Sequence, residues 1–172
     1  MPVDPFATLG LPRAYAVDRA ALQRAYLTQA ARWHPDRFTD LLQRRDAEQR
    51  SAEINAARIA LEDDEKRAAA LLVLIGGPGQ SDDKSLPDGF LMEILDVRSE
   101  LEAAVQSGDA EQKAGVKKWA AQQRTQYRDR VAALFDQAGE SPDEATLTAI
   151  RHELNAWRYI ERLIEQLDDP VR

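Results

Sequence analysis

Apolar positions along this chain recur every three to four residues, and no useful stretch alternates with the two-residue period of a strand. The spacing predicts an all-α protein. Leu9-Gly10-Leu11-Pro12 closes a short first segment. Asp18 is placed to cap a helix over about 19–33, whose Leu22, Tyr26, Ala30 and Trp33 share one face. That helix has to stop at His34, because Pro35 disfavours helical geometry in the residue before it. A second helix fits roughly 40–62 and would bury Ala47, Ile54, Ala57 and Leu61. Asp63 or Asp64 then caps a third, apolar helix ending at Gly76-Gly77-Pro78.

Residues 77–88, Gly-Pro-Gly-Gln-Ser-Asp-Asp-Lys-Ser-Leu-Pro-Asp, form the clearest linker in the chain. Three long helices follow. One runs over about 89–107 and stops at Gly108; the next starts behind Asp109 and stops at Gly139. The last opens on Ser141-Pro142-Asp143-Glu144, where a Ser cap, a first-turn Pro and a Glu at the third position spell a capping box. It continues to just before Pro170. The expected architecture is an N-terminal helical hairpin in residues 1–76, the short linker 77–88, and a C-terminal antiparallel three-helix bundle in residues 89–172.

Composition narrows the classes of function. The 172 residues include 23 basic and 30 acidic side chains, a net charge of −7. Residues 1–77 carry 11 of each sign, and residues 78–172 carry 12 basic and 19 acidic, so the second module holds the whole excess. An acidic protein is a poor prior for nucleic acid, whose phosphates need a basic face. The absence of cysteine excludes a disulfide framework, a zinc ribbon or a self-held iron–sulfur cluster, all of which need thiolates. The longest near-continuous apolar run, Ala68 to Ile75, has eight residues against the roughly 20 of a membrane helix. The start lacks the basic and apolar regions of a signal peptide. A soluble, cytoplasmic chain with no membrane partner is expected.

Residues 33–38 read Trp-His-Pro-Asp-Arg-Phe. The tripeptide His34-Pro35-Asp36 alone is compatible with a polar turn. Its position changes that, because it directly follows an amphipathic helix that carries Arg19, Arg24 and Arg32 and no acid. In an acidic chain this is a local positive stripe, fitted to steer toward an acidic partner surface. A solvated face is the alternative. Catalysis by His34 and Asp36 would need a nucleophile or metal within reach and a pocket to tune them. The only other histidine, His152, lies mid-helix in the other module and reads as ordinary surface. Neither a catalytic residue nor a metal site is expected, and no cofactor.

The helix opening near residue 89 carries more apolar side chains than one seam needs. Phe90, Ile94, Val97, Leu101 and Val105 fall within one arc, while Leu91, Met92 and Leu95 lie roughly 80° to 180° from its centre. Asp96, Ser99 and Glu102 share that outer face. Two readings stand at this point: a partner site rimmed by acid, or packing of Leu91 and Leu95 on the first module or the linker. On the last helix, Leu147, Ile150, Leu154, Trp157 and Ile164 share a broad face, from which Tyr159 points away.

These motifs carry a resemblance. The amphipathic helix, the His34-Pro35-Asp36 loop, the returning helix with Ile54-Asn55-Ala56-Ala57 and Leu61, and Asp64-Glu65-Lys66-Arg67-Ala68 resemble a J-domain over about residues 4–75. With Phe90-Leu91-Met92-Glu93-Ile94-Leu95-Asp96-Val97-Arg98 heading an acidic bundle, the whole chain is similar to the HscB family, co-chaperones of iron–sulfur cluster assembly. The resemblance implies that His34, Pro35, Asp36, Arg24, Arg32 and Arg37 meet the ATPase domain of an HscA/DnaK-type chaperone and promote its ATP hydrolysis. It implies that Leu91, Met92, Leu95, Asp96 and Tyr159 meet an Isc-type iron–sulfur scaffold protein. The chain departs from the family pattern at Ser99, where an acidic residue is expected, which puts one polar scaffold contact in doubt. A general J-domain co-chaperone with another protein client is the first rival, a nucleic-acid binder using residues 19–37 the second, and a small hydrolase the third.

Overall fold

The computed structural model describes residues 3–139 and 141–168. Among them the regular structure is helical throughout, in two compact units, Met1–Ile75 and Gly76–Arg172. The first unit contains α1 (Pro5–Leu9), α2 (Arg19–Arg32), a 3-10 turn (Pro35–Arg37), α3 (Leu41–Glu62) and α4 (Asp64–Leu74). The second contains α5 (Phe90–Ser107), α6 (Ala110–Ala138) and α7 (Glu144–Asp168).

Aspartate caps set most of the helix starts. Asp4, Asp18, Asp40, Asp63 and Asp109 each accept backbone N–H groups at the first turn of α1, α2, α3, α4 and α6, satisfying donors that have no partner inside the helix. Between the two candidates for α4, Asp63 is the cap; Asp64 instead accepts from Arg67 at 2.6 Å. In α7 the sequence expectation is off by two residues. Asp143, not Ser141, accepts the Thr146 N–H at 2.7 Å, and its carbonyl accepts from Leu147.

In the first unit α1 and α2 pack on α3, burying Phe6, Leu9, Leu22, Ile54 and Leu61. Tyr26, Ala30 and Trp33 share Leu22's side of α2 but are only half-buried. Asn55 accepts the Tyr26 hydroxyl at 3.0 Å, tying α2 to α3.

In the second unit α6 and α7 form a long antiparallel hairpin. Lys117 pairs with Asp168, Arg124 with Glu161 and Arg130 with Glu153, so one index falls as the other rises. Trp157, Ile160, Leu163 and Val131 are fully buried between them. α5 packs chiefly on α6 and buries Phe90, Ile94, Val97 and Ala104; Leu101 is half-buried, and the Val105 side chain lies outside the described residues. Phe90 meets Tyr127 edge to face at 6.1 Å, and that burial raises the Tyr127 phenol to about 12. The end of the last helix near Pro170 also lies outside the described residues.

The stretch between α4 and α5 is not a bare tether. Asn155 on α7 donates its amide to the carbonyls of Asp83 and Ser85 at 3.0 and 2.9 Å. His152 lies 3.0 Å from the Asp83 carboxylate, which also accepts the Ser85 N–H, and Asp83 is held below its usual value, chiefly by Ser85. His152 is thus a half-buried contact to residues 83–85 rather than ordinary surface.

Candidate functional site

In the first unit the loop forms because Pro35 forces His34 into extended backbone (ψ 126°), which ends α2 at Trp33. Pro35 then opens a single 3-10 turn, closed by Arg37 N–H to His34 O at 3.0 Å and Phe38 N–H to Pro35 O at 3.1 Å. His34 Nδ1 accepts the Asp36 N–H at 3.3 Å and so acts as the cap of the turn. The Asp36 carboxylate is 78% exposed, with Oδ2 at 3.6 Å from Nδ1.

The loop is braced from below. Trp33 and Phe38 stack with ring centres 6.1 Å apart, and the Arg50 guanidinium of α3 lies 4.3 Å from the Trp33 ring centre. Arg37 donates to the Ala31 carbonyl at 3.2 Å, which satisfies an end carbonyl of α2 and orients this cation across the loop base. Arg32 lies 5.7 Å from the Trp33 ring. Arg24 is exposed, but the cap Asp18 sits 3.8 Å from it and offsets part of its charge. A count of acids begun at Arg19 misses that neighbour.

Sequence reasoning also missed an apolar pair. Leu41 and Leu42, at the start of α3 just beyond the turn, are 82% and 79% exposed. The signal was available: at 100° per residue both lie well over 90° from the line through Ala47, Ile54 and Leu61.

In the second unit α5 divides sharply. Phe90, Ile94 and Val97 are buried, whereas Leu91, Met92 and Leu95 are 55%, 75% and 62% exposed. Asp96, Ser99 and Glu102 are exposed beside them. Within the second unit, neither the linker nor α6 and α7 cover Leu91 and Leu95. Tyr159 is not a detached side chain: its ring meets Phe90 at 5.8 Å and 65°, so α7 contributes an aromatic wall at the root of α5. The structure thereby joins Tyr159 to the residue preceding Leu91. The His34 loop belongs to the first unit.

Among the described residues no cluster of three or more His, Cys, Asp or Glu is arranged to hold a metal ion, and no helix is long and apolar enough to cross a membrane.

Comparison with known proteins gives both units a family. The DnaJ domain matches residues 4–70, and the HSCB C-terminal oligomerisation domain matches residues 86–168. A co-chaperone protein HscB homolog of Cupriavidus taiwanensis is 34% identical over 151 residues, spanning 86% of this chain and 84% of that relative. The chain belongs to the HscB family of co-chaperones. A second HscB homolog, from Ralstonia nicotianae, is 35% identical over 174 residues, spanning 95% of this chain and 96% of its own. The crystal structure of human co-chaperone protein HscB has the same fold, with a TM-score of 0.79 at 23% identity, over 97% of this chain and 81% of that one. As an HscB-family member the chain is a J-domain co-chaperone with an all-helical fold. The relatives it matches are named as co-chaperones and not as enzymes.

Proposed function

We propose that this chain couples two proteins. His34, Pro35 and Asp36, with Arg24, Arg32 and Arg37, dock on an HscA/DnaK-type chaperone and stimulate its ATP hydrolysis. Leu91, Met92, Leu95 and Asp96, with Tyr159 behind them, hold an Isc-type iron–sulfur scaffold protein as the client, so that hydrolysis drives cluster maturation and transfer. In this reading residues 1–76 are the J-domain, 77–88 the linker, here held against α7, and 89–172 the scaffold-binding module, working in the cytoplasm. The hydrolysed ATP belongs to the chaperone, and the cluster is the scaffold's cargo.

The observation that carries the reading is the division of α5. A helix whose seam is already buried still exposes two leucines and a methionine within five residues, with acid beside them. Exposed apolar groups of that kind, with an adaptable methionine among them, favour a protein partner over bulk water. Their arrangement suits an apolar client surface edged with basic groups.

The test is calorimetric titration of the scaffold protein into the Leu91→Ala/Met92→Ala/Leu95→Ala variant. Truncating anchors of this type costs on the order of 2 kcal/mol each at a well-packed interface, so affinity should drop at least a hundredfold. An affinity near wild type, with the helical circular dichroism retained, would overturn the assignment.

A further inference from the structure

The second module is acidic, but one part of its surface is not. Residues 80–84 and one side of α7 enclose a concavity of about 500 Å³, lined by Gln80, Ser81, Lys84, Arg158, Tyr159 and Arg162. Three of those side chains are cations, in a stretch where acids outnumber bases 19 to 12. Lys84 and Arg162 have no ion-pair partner among the described residues, and the Tyr159 hydroxyl has no hydrogen-bond partner among them. Arg158 reaches Glu165 at 3.9 Å.

The nearby linker acids are engaged elsewhere. Asp82 accepts the Gly79 N–H at 2.9 Å and the Ser81 hydroxyl at 3.2 Å. Asp83 is held by Ser85 and His152. Because Asn155 pins the carbonyls on both sides of Lys84, the backbone that presents this cation is fixed before any ligand arrives. Arg158 and Arg162 stand one turn apart on α7, about 6 Å between their Cβ atoms, and so face the concavity as a pair.

We propose that this concavity binds a carboxylate-bearing segment of the client that docks on Leu91, Met92 and Leu95; the inference rests on that reading of α5. The lining offers only donors at its charged positions, and an ammonium or a guanidinium group each makes charge-assisted hydrogen bonds to a carboxylate. Lys84 and Arg162 are exposed, so a free small anion would keep its water and gain little. A segment already tethered at α5 makes the same contact as an intramolecular step, which raises its effective concentration. Tyr159 supplies the continuity, since it lines the concavity and also packs on Phe90, next to Leu91.

The probe is the purified scaffold protein, with association followed by stopped flow and affinity by calorimetry, at low and at high salt. Lys84→Glu/Arg162→Glu should slow association and lower affinity by about tenfold near 0.05 M salt, and the gap should narrow to about twofold near 0.5 M. Lys84→Arg/Arg162→Lys should behave as wild type. The α5 triple-alanine variant should lose binding at both salts. If the charge-reversed variant binds like wild type at low salt while the α5 variant does not, the concavity proposal fails and the α5 reading stands. If the α5 variant binds like wild type, the α5 reading fails instead. A loss that is equal at both salts, or one also produced by the Lys84→Arg/Arg162→Lys variant, overturns the electrostatic assignment. So does saturable binding of inorganic phosphate that Lys84→Glu/Arg162→Glu abolishes while scaffold affinity is unchanged.

Discussion

Arg67 shows how one buried charge can organise a small unit. Its guanidinium donates to the Leu61 carbonyl at 2.7 Å, the Tyr15 carbonyl at 2.8 Å and Asp64 at 2.6 Å, and lies 5.2 Å from the Tyr15 ring. It thus ties the loop before α2 to the junction of α3 and α4. Arg67→Ala would leave the buried Leu61 carbonyl without its donor, at a cost of about 2–3 kcal/mol. The expected result is a lower denaturant midpoint with an unchanged slope, measured by far-ultraviolet circular dichroism. Composition reads this arginine as one more surface charge, because nothing in a charged stretch such as Asp64-Glu65-Lys66-Arg67 marks which member turns inward. Tyr159 teaches the same lesson in reverse. Helical geometry points it away from the α7 stripe, and only the approach of Phe90 from α5 turns that position into part of a surface.

At the scale of elements, caps and breakers were legible because they act through the local chain. Asp18, Asp40 and Asp109 bond the donors two and three residues on, and Pro35 dictates the geometry of the residue before it. Ser141-Pro142-Asp143-Glu144 misled because two overlapping cap registers were available, and Asp143 took the Thr146 donor. The same contact, to both the Thr146 hydroxyl and its N–H, holds Asp143 below 3.8. A folded-state value below the unfolded one gives stability that is present above the unfolded value and lost as pH falls through the folded one. At neutral pH, Asp143→Ala should therefore unfold at lower urea than wild type. The two midpoints should converge as pH is lowered below 3.8, which a urea titration across pH will show. A gap that persists into acid would mean the residue acts by something other than its charge.

At the scale of the molecule, the two surfaces belong to different units, so their functions should separate by mutation. His34→Gln removes an exposed loop side chain whose contact is local to the turn. The expected outcome is stimulation of the chaperone ATPase reduced to its basal rate, with scaffold affinity within about twofold of wild type, a difference of at most half a kcal/mol. Stimulation that survives His34→Gln would remove the loop from the docking surface. The sequence by itself determined the helical class, the helix ends governed by Asp caps and Pro35, the charge imbalance between the halves, and the off-seam positions of Leu91, Met92 and Leu95. All of these depend on neighbours within a turn or two, or on counting. Only the tertiary structure decided that the off-seam side chains stay exposed, that Tyr159 backs α5, that residues 83–85 lie on α7, and that Lys84 joins Arg158 and Arg162 around one concavity. Those facts rest on contacts between residues some 70 positions apart, such as Asn155 with Ser85, and the periodicity of a single helix carries no record of which helix will pack beside it.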